Sequence, residues 1–364
     1  MLVVLFIVMV ITITTLGFLS QSDVELACGQ NMILRTEMDY LAESGLEHAR
    51  GLILNPQDVS TEFWTGGTGL QLTSGSDFYD ISVERDVNIF CNYTIDCDSY
   101  RLQGADTIGR SSVRAILRLD PCIAFWTGTS TTISSQIIGD VYCGGILTNN
   151  GFIFGDAFAT DKINGTIIGR KNQYVTPAYP VAWPNLTVDD FESTYYIDLT
   201  PYSAQQIVDP NIPTTSFEPN EANPAGILYC ADDVNMPGNV TINGTLVVDG
   251  KLTISGSNNI ITAEKNFPAL VVTGEVIMED DASLVINGLA QIGQVISIDA
   301  GAATASIEVT GGLFINGGGI TSPLITVIVK ANPAIASIET WSATGVPTRW
   351  RPAAGAFYRS IERK

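Results

Sequence analysis

This 364-residue chain contains one histidine, His48, beside Glu47. No serine or cysteine accompanies it in a spacing that builds a Ser-His-Asp or Cys-His nucleophile, so it reads as a residue on a helix surface. The chain contains no G-x-x-x-x-G-K, no G-x-G-x-x-G after a strand and no H-E-x-x-H. Acids cluster at Asp189-Asp190, Asp232-Asp233 and Glu279-Asp280-Asp281. Such groups could gather the roughly six to eight oxygens that calcium takes, but none has a calcium-loop signature, and solvated turns are the expectation. Polysaccharide cleavage needs paired carboxylates or a Lys/Arg base converging on one face. Here the bases are few and the acids are scattered. The expectation is a chain without catalytic residues, metal site or cofactor.

The cysteines are Cys28, Cys91, Cys97, Cys122, Cys143 and Cys230. None forms a C-x2-C zinc pair, and one histidine does not complete a structural zinc site. In an exported chain, disulfides are the natural reading. Cys91 and Cys97 bracket the short stretch NYTID and are expected to pair, with Cys122–Cys143 as a second candidate. Cys28 is expected to be a small buried residue and Cys230 to lack a partner. Spacing alone leaves connectivity open.

The element that dominates the chain is residues 1–54. Its first 22 residues carry no charged side chain, and the first acid is Asp23. From there an amphipathic pattern continues, with Leu26, Met32, Ile33, Leu41, Leu46, Ile53 and Leu54 as its apolar side. One helix of that length would span ~80 Å. Met1 to Leu19 alone would span ~28 Å, close to the ~30 Å of a bilayer core. A cleaved signal, a simple membrane anchor and a helix later extracted into a filament core all fit an apolar run of this length. Without a basic n-region or a small-x-small cleavage site, the signal is the weakest of the three. The continuation past the membrane favours the filament core.

The stretches LVVLFIVMVITITTLGFLSQSDVELACGQN and DYLAESGLEHAR carry a likeness to a known family. The region resembles the N-terminus of type IV pilin-like proteins, most closely the PilX-type minor pilins. The matching features are the uncharged run, an acid at Glu25, the Gly29-Gln30-Asn31 step and Ala42-Glu43-Ser44-Gly45-Leu46-Glu47-His48-Ala49. The resemblance covers about one seventh of the chain. It implies assembly through Met1, Leu2, Val3, Val4, Leu5, Phe6, Ile7, Val8, Met9, Val10, Ile11, Ile13, Leu16, Phe18, Leu19 and Glu25. It further implies a basic leader removed before residue 1, unless Met1 is the initiator. The implied partners are other copies of the chain, a pilus assembly machinery and, before assembly, the inner membrane. The implied destination is an extracellular filament at the cell surface. Most major pilins of the kind this stretch resembles carry glutamate at the fifth position, where this chain has Leu5. That departure favours a minor or divergent subunit.

Net charge is −20, from 38 acids and 18 bases, which disfavours nucleic acid as a partner because phosphates are repelled. Charged residues are only 15% of the chain, with 34 glycines and 16 prolines, a β- and turn-rich composition. Residues 55–75 read as a loop, with Asn55-Pro56 stopping the helix. Strands are expected at 78–83, 100–104 and 111–119. From Cys122 onward, short β-branched runs alternate with Gly, Asn and Asp, as in NVTINGTLVVDGKLTISG. Hairpins at Asn243-Gly244, Asp249-Gly250, Asn287-Gly288 and Gly311-Gly312 would build a sandwich. Corners at the same places would build a parallel β-helix, which the number and shortness of the runs favour. Val240, Ile242, Leu246 and Val248 then point inward. Residues 174–222, rich in Pro and Tyr, read as a packed cover.

The expected fold is α+β: a stalk helix over 1–54, a small antiparallel αβ head over 55–120, and a mainly-β domain over 121–340, read as a parallel β-helix interrupted at 174–222. The basic tail, 341–364, is expected to cap the last coil. The expected function is a structural filament subunit. The alternatives are a tip or priming minor pilin and a membrane-anchored carbohydrate-active enzyme.

Overall fold

The computed structural model describes residues 2–54, 63–341, 347–353 and 355–363, apart from 88, 90, 177, 178, 180, 192, 193 and 198. Met1 and the Asn55-Pro56 step lie outside these residues. The first element, α1, is a single 53-residue helix over Leu2–Leu54. Only its second half touches the rest of the chain. Met38, Ala42, Leu46, Ala49 and Ile53 are buried, and steps of four and three residues keep them on one face.

That face lies on an antiparallel sheet. Its strands are β1 (Gly66–Leu70), β2 (Asp77–Arg85), β3 (Asn92–Gln103) and β4 (Asp106–Leu119), followed by the C-terminal strand Ala356–Arg363. Alternate residues point at the helix, as a period of two requires. Ile81 and Val83, then Tyr93, Ile95 and Cys97, then Val113, Ala115 and Leu117 are all buried. The glycines at 66–69, expected in a loop, sit in β1, which pairs with β2 across an irregular register. The tail does not cap the last coil. Residues 356–363 pair antiparallel with β4, because β4 would otherwise leave an open sheet edge.

Between β4 and the C-terminal strand the chain forms a parallel β-solenoid of about ten turns. All pairings between its coils are parallel, which excludes Asn-Gly hairpins. The glycines instead bend continuous strands at corners. Gly288 and Gly311 have φ of 138° and 141° inside Ala282–Ile292 and Ala305–Ile315. A Cβ on Gly311 would strike the Gly288 backbone one coil away. Val240, Ile242, Leu246 and Val248 face the interior with no exposure.

The order of coils is not the order of the sequence. Ile123–Thr127, the first solenoid strand, pairs on one side with Asp140–Cys143 and on the other with the end of Ala305–Ile315. The chain thus enters at the middle and winds outward to Lys171–Asn172. It then crosses to the far end, restarts at Gln205–Gln206 and winds back to the middle. Its exit lies beside its entrance: Cys122 bridges Ala353.

The crossing segment is the aromatic stretch expected to be a cover. Val181, Leu186, Val188, Phe191 and Tyr195 pack on Trp126, Tyr142, Phe158, Tyr229, Val247 and Phe314 of the outer sheet face. The Trp126 indole donates to the Val181 carbonyl at 3.2 Å. Gln291 exchanges hydrogen bonds with the Leu186 backbone. The latter part of 174–222 is not cover, since Gln205–Gln206 and Ser216–Phe217 form solenoid rungs.

Candidate functional site

The residues assigned to assembly, apart from Met1, which lies outside the described residues, occupy the free half of α1. From Val3 to Ile33 every side chain is exposed, including Leu5 at 72% and Phe18 at 74%. Leu26, Met32 and Ile33, expected on the packed side, are exposed as well. Cys28 is exposed and free rather than buried. The reason is geometric. The head sheet covers roughly the last 17 residues of a helix rising ~1.5 Å per residue. By length and composition the apolar part can cross a membrane. Glu25 is exposed and accepts a hydrogen bond from Gln21 at 3.2 Å.

Where α1 meets the head, polar groups lock it in place. Ser99 donates to the Met38 carbonyl at 2.7 Å, and Ser111 to Asp39 at 2.5 Å. Arg101 lies between Asp77 at 2.5 Å and Glu37 at 2.9 Å, and its guanidinium holds the Asp77 carboxyl below its usual range. From the tail, Arg363 reaches Glu43 at 2.5 Å and Asp39 at 3.8 Å. Arg351 donates to the Leu54 carbonyl at 3.0 Å. His48 is not on an open helix face. It meets the Tyr79 hydroxyl at 3.0 Å and the Trp64 ring.

The disulfide is Cys91–Cys122, not Cys91–Cys97 or Cys122–Cys143. NYTID is not a loop but the start of β3, so Cys97 lies ~20 Å along a strand from Cys91, far beyond the Cα separation a disulfide spans. Cys143 ends a strand whose first residue, Asp140, pairs with Ile123, placing it ~10 Å or more from Cys122. Cys97 and Cys143 are free and buried. Burial pushes the Cys97 thiol up to about 12, raises that of Cys143, and does the same to Cys230, at about 12.

Beside the disulfide lies a cavity of about 740 Å³ between head and solenoid, lined by Val87, Ile89, Arg118, Ile138, Asp140 and Phe154 among others. Asp140 is almost fully buried. It accepts from the Cys122 and Asp156 backbone at 2.7 and 2.8 Å, and Arg118 lies 3.7 Å away. Loss of water outweighs these contacts and pushes its carboxyl up to about 6. Asp156 repeats the motif, accepting from the Arg170 backbone at 2.8 Å. The clustered acids do similar work. Asp280 accepts from the Ala303 and Thr304 backbone, and Asp233 from that of Lys251. Asp190 closes back on Thr187. The acids were legible as turn residues, but not that Asp140, Asp156, Asp233 and Asp280 each tie one coil to the next.

No family model matches the sequence, and no curated protein matches it. Among solved structures, the chain is similar to the competence-associated pilin ComZ from Thermus thermophilus, at 11% identity. The alignment covers 90% of this chain and 97% of that one, with a TM-score of 0.26. A likeness of that degree carries no argument, and the functional reading rests on the geometry of α1.

Proposed function

We propose that this chain is a structural subunit of a type IV pilus-like extracellular filament, polymerising through the free half of α1. One observation carries the reading: a continuous helix is packed at one end and wholly exposed over 3–33 at the other. Exposed Leu, Val, Ile, Met and Phe at ~25 cal/mol per Å² amount to tens of kcal/mol gross if covered. A bilayer provides that cover first, and like helices provide it afterwards. The partners are then copies of this chain, the inner membrane and an assembly machinery, and the place is the cell surface. The solenoid forms the outer layer, in a structural rather than an enzymatic role and without a cofactor.

The test is removal of detergent from the purified full-length chain, followed by negative-stain imaging. Fibres are expected. Chains that stay single with α1 in water would sink the proposal. Substituting Phe6→Arg is expected to abolish the fibres while leaving the head folded.

Leu5 favours a second reading, a tip or priming subunit that does not polymerise alone, because the position where most major pilins carry an acid is apolar here. Sheared cell-surface material separates the two. Fibres made mainly of this chain support the first, and traces at fibre ends support the second.

A further inference from the structure

The charges on α1 fall into two groups. Those opposite the head are satisfied within the chain: Glu37 by Arg101, Asp39 and Glu43 by Arg363, and Glu47 by Arg50. Below the head only three charges remain, Asp23, Glu25 and Arg35, and all are exposed. Arg35 is the sole Lys or Arg before residue 50. Among the described residues, no acid lies within ion-pair distance of Arg35 and no base within that of Asp23 or Glu25. They cannot serve one another within a copy. Arg35 stands 10 and 12 residues from the acids, or ~15 and ~18 Å along the axis, beyond the reach of one side chain.

Resting on the filament reading above, we infer that Arg35 of one copy pairs with Asp23 or Glu25 of a neighbouring copy and so sets the axial stagger between adjacent helices. Opposite charges next to an apolar segment become costly when that segment is covered, unless they meet. A stagger of ~15–18 Å brings them level. The two acids project ~200° apart around the helix, so an arginine arriving from either flank meets one of them. In a partly dehydrated bundle such a pair also discriminates. A register that misses it leaves a cation against Ile, Leu or Val.

The test uses the full chain, pelleting of fibres after detergent removal, and circular dichroism of the soluble fraction to confirm folding. Arg35→Glu, and separately the pair Asp23→Lys with Glu25→Lys, are expected to raise the concentration needed for fibres roughly tenfold or more, the scale of one charge-assisted pair. Combining all three changes in one chain, or mixing the two variant chains, restores fibres. Arg35→Gln is expected to lie between Arg35→Glu and the natural chain. Arg35→Glu chains that assemble like the natural one overturn this inference alone, as does a folded triple variant that fails to recover. Natural chains that form no fibres overturn the filament reading, and this inference with it.

Discussion

Gly45 lies where α1 comes nearest to the sheet. A Cβ there would strike the Cys97 sulfur and come within 3.1 Å of the Tyr79 ring. Gly45→Val is therefore expected to destabilise the head by about 1–3 kcal/mol through overpacking. Urea unfolding measures this, and Cys97→Ala in the same chain should recover part of the loss. Asp140 makes a prediction of opposite character. Its carboxyl titrates at about 6 when folded and at ~3.9 when unfolded. Between those values the folded chain binds the extra proton, so this site's contribution to stability falls as pH rises from about 4 to 6. The drop is up to about 3 kcal/mol and is complete above that window. Asp140→Asn should flatten the difference between unfolding midpoints at pH 4 and pH 6, whatever it does to stability overall. An unchanged slope would show that other groups set it. Neither residue is conspicuous in the sequence. A glycine inside a helix and a lone aspartate acquire meaning only from what stands opposite them.

At the scale of elements, legibility followed distance along the chain. The helix, three head strands and the short inward-alternating runs were readable because each is written in a local period. Turn glycines were readable as turns, and although a corner and a hairpin use the same residues, the number and shortness of the runs pointed to the parallel coil that forms. The disulfide was misread because Cys91-NYTID-Cys97 looks like a loop until β4 is seen pairing with all of it. The fate of the tail was hidden because its partner lies more than 200 residues earlier. Two predictions belong here. Replacing Cys91 and Cys122 by serine should cost about 3–4 kcal/mol, the loop-closure value for a separation of 31 residues. Trp126→Ala should cost about 3–5 kcal/mol and expose the crossing segment to protease before the coils beneath it.

For the whole molecule, the solenoid is an insertion between two neighbouring strands of the head. Asp120 and Gly355 share a backbone hydrogen bond of 3.0 Å, as do Ile123 and Pro352. Replacing residues 122–353 by a short turn is therefore expected to leave α1 and the head sheet folded, though without the disulfide. Resistance of the shortened chain to limited proteolysis checks this, and a chain digested throughout would refute it.

The central seam of the solenoid also dictates a timetable. Ile123–Thr127 waits for a neighbour that begins at residue 305, so during synthesis the early coils stand with one raw edge until nearly the whole polypeptide exists. Contacts this remote in sequence slow folding and leave strand edges open to wrong partners. Completion from both flanks toward a shared middle also means that a chain broken off late, short of residue 313, lacks its keystone rather than merely its last coils.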